Sequence, residues 1–87
     1  TYQVGLKAFH AKDFPKATAY FKAAVERWKG QPRETEARWA VLRAAVRASD
    51  WHEVLEQTSL LSETKGLSEA QTNELFSSRV RAFENLG

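Results

Sequence analysis

Apolar residues along this chain recur every third or fourth position and never alternate for long enough to suggest a strand. The clearest run is Phe14, Ala17, Phe21, Ala24 and Trp28, a 3-4-3-4 seam broadened by Tyr20 and Val25. It predicts a helix capped by Asp13, with Pro15 in the first turn, where a missing N–H costs little. "KGQP" at 29–32 ends that helix. Ahead of it, Leu6 and Phe9 share one face of a helix expected over residues 2–11, which "AKD" breaks. A third helix is expected over 33–49, with Ala37, Val41, Ala45 and Ala48 on one face. Trp39, Leu42 and Val46 widen that face, which predicts neighbours on two sides. Asp50 then repeats the role of Asp13 and opens a short fourth helix, "WHEVLEQTSLL". After "SETKG", the "SEAQ" at 68–71 reads as a capping box, with Ser68 as cap and Gln71 reaching back. Leu75, Phe76, Val80, Phe83 and Leu86 predict the apolar face of the fifth helix. The expected class is all-α.

The pattern also repeats. "FHAKDFPKA" and "VRASDWHEV" align at an offset of 37, pairing Phe9 with Val46, Asp13 with Asp50, Phe14 with Trp51 and Ala17 with Val54. "RAFENLG" resembles the approach to the same turn, with Gly87 placed 38 positions after Ser49. The chain therefore reads as one helix pair, a second pair and the first helix of a third.

These residues resemble the tetratricopeptide repeat, whose pattern runs W-x2-L-G-x2-Y, then A-x3-F, with a later proline. Val4-Gly5 stands for the L-G pair, Ala17-x3-Phe21 for A-x3-F, Ala24 for the next small site, and "KDF" for the turn. The departures are Thr1 at the tryptophan place, Ala8 at the tyrosine place with Phe9 beside it, and a late Pro32. The second repeat has Leu42 for the glycine, Val54 for the alanine and Thr58 for the phenylalanine. The resemblance implies stacked antiparallel hairpins forming a short right-handed superhelix of about two and a half repeats, at 1–32, 33–66 and 67–87. An unrelated five-helix bundle is the alternative. Gly5 and Ala17 are then the expected close contacts, with Phe9, Phe14 and Phe21 filling around them. Since roughly three repeats are needed for stability, the chain is expected to be part of a longer one. Its start at Thr1 and its lack of methionine suggest the same.

The family's partner-binding face is concave and lined by the first helix of each pair. Carried over, it comprises Tyr2, Leu6, Phe9 and His10, then Trp39, Arg43, Val46 and Arg47, then Ser77, Arg81 and Asn85. Aromatics flanked by arginines suit an acidic segment, because guanidinium pairs bidentately with carboxylate. The family's chaperone-tail clamp of Lys, Asn, Asn, Lys and Arg meets Tyr2, Leu6, Arg43, Ser77 and Arg81, of which only Arg81 agrees. Trp39, if exposed there, is the leading hot spot. Trp28 and Trp51 lie on core seams and read as packing.

Composition narrows the remaining choices. Eighty-seven residues suit one small domain. The absence of cysteine removes disulfides and thiolate metal sites and leaves the compartment open, cytoplasmic or extracytoplasmic. No stretch approaches the roughly 20 apolar residues of a membrane span. A net charge of +2 is too slight to suggest nucleic acid by itself, although Arg43, Arg47 and Arg81 could form a basic stripe. His10 and His52 lack metal-ligand spacing, the glutamates at 34, 36, 53 and 56 suit helix starts and exposed faces, and no serine has a nucleophile's context. No enzyme, cofactor or metal is expected. The expected role is a scaffold binding a peptide or helix of another protein on its concave face, with a spacer or self-association module as one rival and nucleic-acid binding by the Arg43, Arg47 and Arg81 stripe as a lesser one.

Overall fold

A computed structural model describes residues 2–87, and it is all-helical: α1 Tyr2–His10, α2 Phe14–Arg27, α3 Arg33–Ala48, α4 Trp51–Leu61 and α5 Glu69–Leu86. Thr1, expected at the family's tryptophan place, lies outside the described residues. Each helix packs chiefly on its neighbours in chain order.

The α1–α2 and α3–α4 turns are copies of each other. Lys12 and Ser49 both adopt the left-handed conformation, at φ 64° and 58°. The next residue's N–H reaches back to an alanine carbonyl, Asp13 to Ala8 and Asp50 to Ala45, both at 2.9 Å. Lys12 N–H also bonds to Phe9 O, and Ser49 N–H to Val46 O, which completes a Schellman motif at each turn. The 37-residue offset is thus a repeat of backbone geometry as well as of letters.

One expectation about these turns fails. Neither Asp13 nor Asp50 accepts a capping hydrogen bond through its side chain. Both have ψ near 75–78°, short of the extended conformation that aims an N-cap side chain at the first-turn N–H groups. Ser68 has ψ 164°, and there the capping box forms as the sequence predicts. Gln71 N–H donates to Ser68 Oγ at 3.1 Å, and Ser68 N–H donates to Gln71 Oε1 at 3.0 Å.

The core has two parts. The first joins Ala8, Ala17, Phe21, Ala24 and Val25 to Ala37, Val41 and Ala44 of α3. Gly5 closes directly on Phe21 and Tyr20 of α2, and Ala17 is wholly buried. Around them Phe9 meets Phe14 edge-on at 5.2 Å. Tyr2 packs between Phe21 and Trp28, with ring centroids 5.3 and 5.4 Å away. The second part joins Trp39, Leu42 and Ala45 to Val54, Leu61, Leu75 and Ala82. Helix α3 is therefore covered on two sides, as its broad apolar face predicts, but Ala45 belongs with Trp39 while Ala44 faces the first hairpin.

Helix α5 departs from its expected packing. Its buried face is Leu75, Ser78 and Ala82, whereas Phe76, Val80, Phe83 and Leu86 are exposed, Phe76 at 69 %. Its register on the second hairpin corresponds to a spacing of 34 from α3 rather than the expected 38. Buried Val41 and Ala44 have counterparts in buried Leu75 and Ser78. Arg47 lies over the Phe14 ring at 5.9 Å, and Arg81 lies over Trp51 at 5.6 Å. On that register Phe76 and Val80 match Leu42 and Val46, which pack in the second core. No described element covers their counterparts on α5.

A polar chain ties the helices together on another face. Lys22 Nζ lies 2.7 Å from Glu53 Oε1, and Gln57 Nε2 donates to Glu53 Oε2 at 2.9 Å. Arg38 Nη1 donates to Gln57 Oε1 at 3.4 Å, and its other nitrogens donate to Glu34. Glu34 in turn accepts from the Gly30 N–H at 2.8 Å, so the chain runs through α2, α4, α3 and the loop before α3.

Candidate functional site

Two hollows lie side by side along α1, α3 and α5. The first, about 190 Å³, is lined by Tyr2, Leu6, Phe9, His10, Phe21, Ala40 and Arg43. The second, about 290 Å³, is lined by Phe9, Leu42, Arg43, Val46, Arg47, Glu74 and Ser78. Phe9 and Arg43 belong to both, so the two form one groove with an apolar end and a charged end. The helical period sets this: Leu6 and Phe9 lie three apart on α1, and Arg43, Val46 and Arg47 follow at three and four on α3.

Of the residues expected on this face, the structure brings Tyr2, Leu6, Phe9, His10, Arg43, Val46 and Arg47 together. Tyr2 is anchored by its aromatic neighbours, and burial pushes its phenol up from the ordinary tyrosine value, with Glu36 adding to the rise and Arg33 and Arg43 opposing it. His10 is exposed and meets the edge of Phe9 at 6.3 Å. The Arg47 guanidinium lies over Phe9 at 5.8 Å as well as over Phe14.

Four expected members fall elsewhere. Trp39 is only 6 % exposed and sits in the second core, so it offers no face to a partner. It is buried because α3 is covered on both flanks, and it reaches the groove only by supporting Arg43, whose guanidinium lies 5.7 Å above its ring. Arg81, with exposed Ser77 and Asn85, lines neither hollow; Arg81 covers Trp51 instead.

Glu74 was no part of the sequence expectation and is the acidic member of the groove. Arg43 Nε donates to Glu74 Oε2 at 3.2 Å and Arg43 Nη2 donates to Oε1 at 3.3 Å. The pair joins α3 to α5 across 31 residues, a separation that no local spacing rule detects. Once α5 is set on the 34-residue register, Glu74 aligns with Ala40, itself a groove residue, and that alignment is the signal that could have found it.

Among the described residues no cluster of three or more histidine, cysteine or acidic side chains could hold a metal ion, and no helix is long and apolar enough to cross a membrane. No family model matches the chain, and no curated protein or solved structure matches it either.

Proposed function

We propose that this chain is a non-catalytic, tetratricopeptide-like scaffold that holds a peptide or helix of another protein in the groove along α1, α3 and α5. The observation that carries this reading is the continuity of the groove, in which an apolar hollow walled by Tyr2, Leu6 and Phe9 opens directly onto Arg43 and Arg47. Binding sites for chain segments combine such an apolar anchor point with a charged rim. The recurring Schellman turns and the stacking of helices in chain order support a hairpin array as its framework.

The test is a selection of random twelve-residue peptides displayed on phage, followed by mapping of a selected peptide through backbone amide NMR shifts. The expected result is that the shifts concentrate at Leu6, Phe9, Arg43, Val46 and Arg47. Shifts confined to the outer faces of α2 and α4 would overturn the reading.

A second reading, self-association, has its own observation in the exposed Phe76, Val80 and Phe83 of α5. Light scattering across a hundredfold concentration range separates the two, since a constant monomer mass removes the second and leaves the first intact.

A further inference from the structure

Arg43 stands where the two hollows meet, and its partner there comes from within the molecule. We infer that Glu74 is an internal stand-in for a partner's carboxylate, so that the groove takes a segment bearing aspartate or glutamate beside an apolar side chain, which binds by replacing Glu74 on Arg43. This rests on the groove being the binding face.

The geometry makes such an exchange easy. Both Arg43–Glu74 contacts, at 3.2 and 3.3 Å, are longer than the ~2.7–2.9 Å of strong charge-assisted pairs. The Arg43 side chain is 58 % exposed, so water already competes for it, and exposed pairs of this kind contribute little. When Glu74 leaves, Arg43 does not lose its place, because the buried Trp39 ring still lies beneath it. Arg47, one turn further along α3, pairs with no acidic side chain among the described residues and rests over Phe9 and Phe14.

Charge decides the partner's chemistry. With Glu74 displaced, the charged end of the groove presents two guanidiniums and no carboxylate, which disfavours a basic segment. A neutral segment gains only the apolar hollow and leaves the internal pair closed. An acidic-apolar segment gains both, with its apolar side chain among Leu6, Phe9 and Ala40 and its carboxylate on Arg43 and Arg47.

The experiment uses the peptide pool selected on the 87-residue chain. The pool is expected to be enriched in aspartate and glutamate next to leucine or an aromatic residue. A selected peptide should bind roughly two- to fivefold tighter to Glu74→Gln than to the parent chain, the size expected for removing one exposed competing ion pair. Glu84→Gln makes the same change of charge on α5 outside the groove and should leave the affinity unchanged. Arg43→Gln should weaken binding and abolish the benefit of Glu74→Gln. A neutral or basic pool that still maps to the groove would overturn the inference while leaving the proposed function standing. So would equal effects of Glu74→Gln and Glu84→Gln. A pool that maps away from the groove overturns both.

Discussion

A β-carbon on Gly5 would lie 2.8 Å from both Cδ1 and Cε1 of Phe21, so the α1–α2 pair closes only because residue 5 lacks a side chain. Phe21 is wholly buried and the Tyr20 β-carbon is 3.3 Å from the same point, so neither neighbour can yield easily. Gly5→Ala should therefore destabilise the chain despite alanine's better helix propensity. Overpacking costs about 1–3 kcal/mol and the propensity gain returns about 1 kcal/mol. Urea denaturation should show a net loss of about 1 kcal/mol, and Phe21→Leu in the same chain should recover part of it. A gain in stability on Gly5→Ala alone would show that the contact is not tight.

Capping should separate the helix starts. Ser68→Ala removes a reciprocal box and should cost about 1 kcal/mol by thermal or chemical unfolding. Asp13→Ala and Asp50→Ala remove no side-chain cap bond and should each cost less than Ser68→Ala. Equal losses at all three would refute the distinction.

Acid should loosen the α2–α4 contact. Burial works to raise the Glu53 carboxyl, but hydrogen bonds from Lys22 and Gln57 outweigh it and hold the group below its ordinary value. A carboxyl depressed in the folded state contributes its stabilisation in full above the unfolded value of about 4.3 and loses it as pH falls through the lower folded value. Lys22 is raised, chiefly by its hydrogen bond to Glu53, so its contribution is complete below about 10.4 and is lost only as pH rises through the higher folded value. The contribution of this pair should be flat near neutrality. Glu53→Gln should lower stability at pH 7 by about 1–2 kcal/mol and flatten the acid limb of a stability-versus-pH curve. An unchanged acid limb would exclude Glu53 as its source.

Trp39 and Arg47 should behave oppositely. Trp39→Ala opens a cavity in the second core and should cost about 3–5 kcal/mol of stability. Arg47→Gln lies on the surface and should leave the melting temperature nearly unchanged while weakening any groove ligand. Melting curves beside binding isotherms distinguish the two.

Much of the fold was legible in the letters, because the signals there are local. The Asp-aromatic turns, the 3-4-3-4 seam of α2 and the Ser68–Gln71 box each act within a few residues. Long-range coverage was harder to read. Position 39 has the same tryptophan whether or not a second hairpin flanks it, and only the docking of α4 and α5 buries it. The face of α5 beyond Leu75 was misread for a related reason: Phe76 and Phe83 are its largest apolar residues, yet small Ser78 and Ala82 allow closer approach to the second core. The groove was legible on α1 and α3, where spacing along one helix suffices. Glu74 was not, since its role depends on how α5 is set against α3.

Gly5 and Phe21 have counterparts 37 residues on in Leu42 and Thr58, both buried. Where the first hairpin sets the smallest residue against a large ring, the second assigns the bulk to the other helix. The two hairpins are thus not exchangeable cassettes. A chimera putting α3 in the place of α1 on α2 would bring Leu42 onto Phe21 with no room for both, while α1 in the place of α3 on α4 would leave Gly5 and Thr58 around an empty space. Averaging the repeats into a single consensus unit would erase this reciprocal fit, so each hairpin has to be redesigned, or moved, as a matched pair.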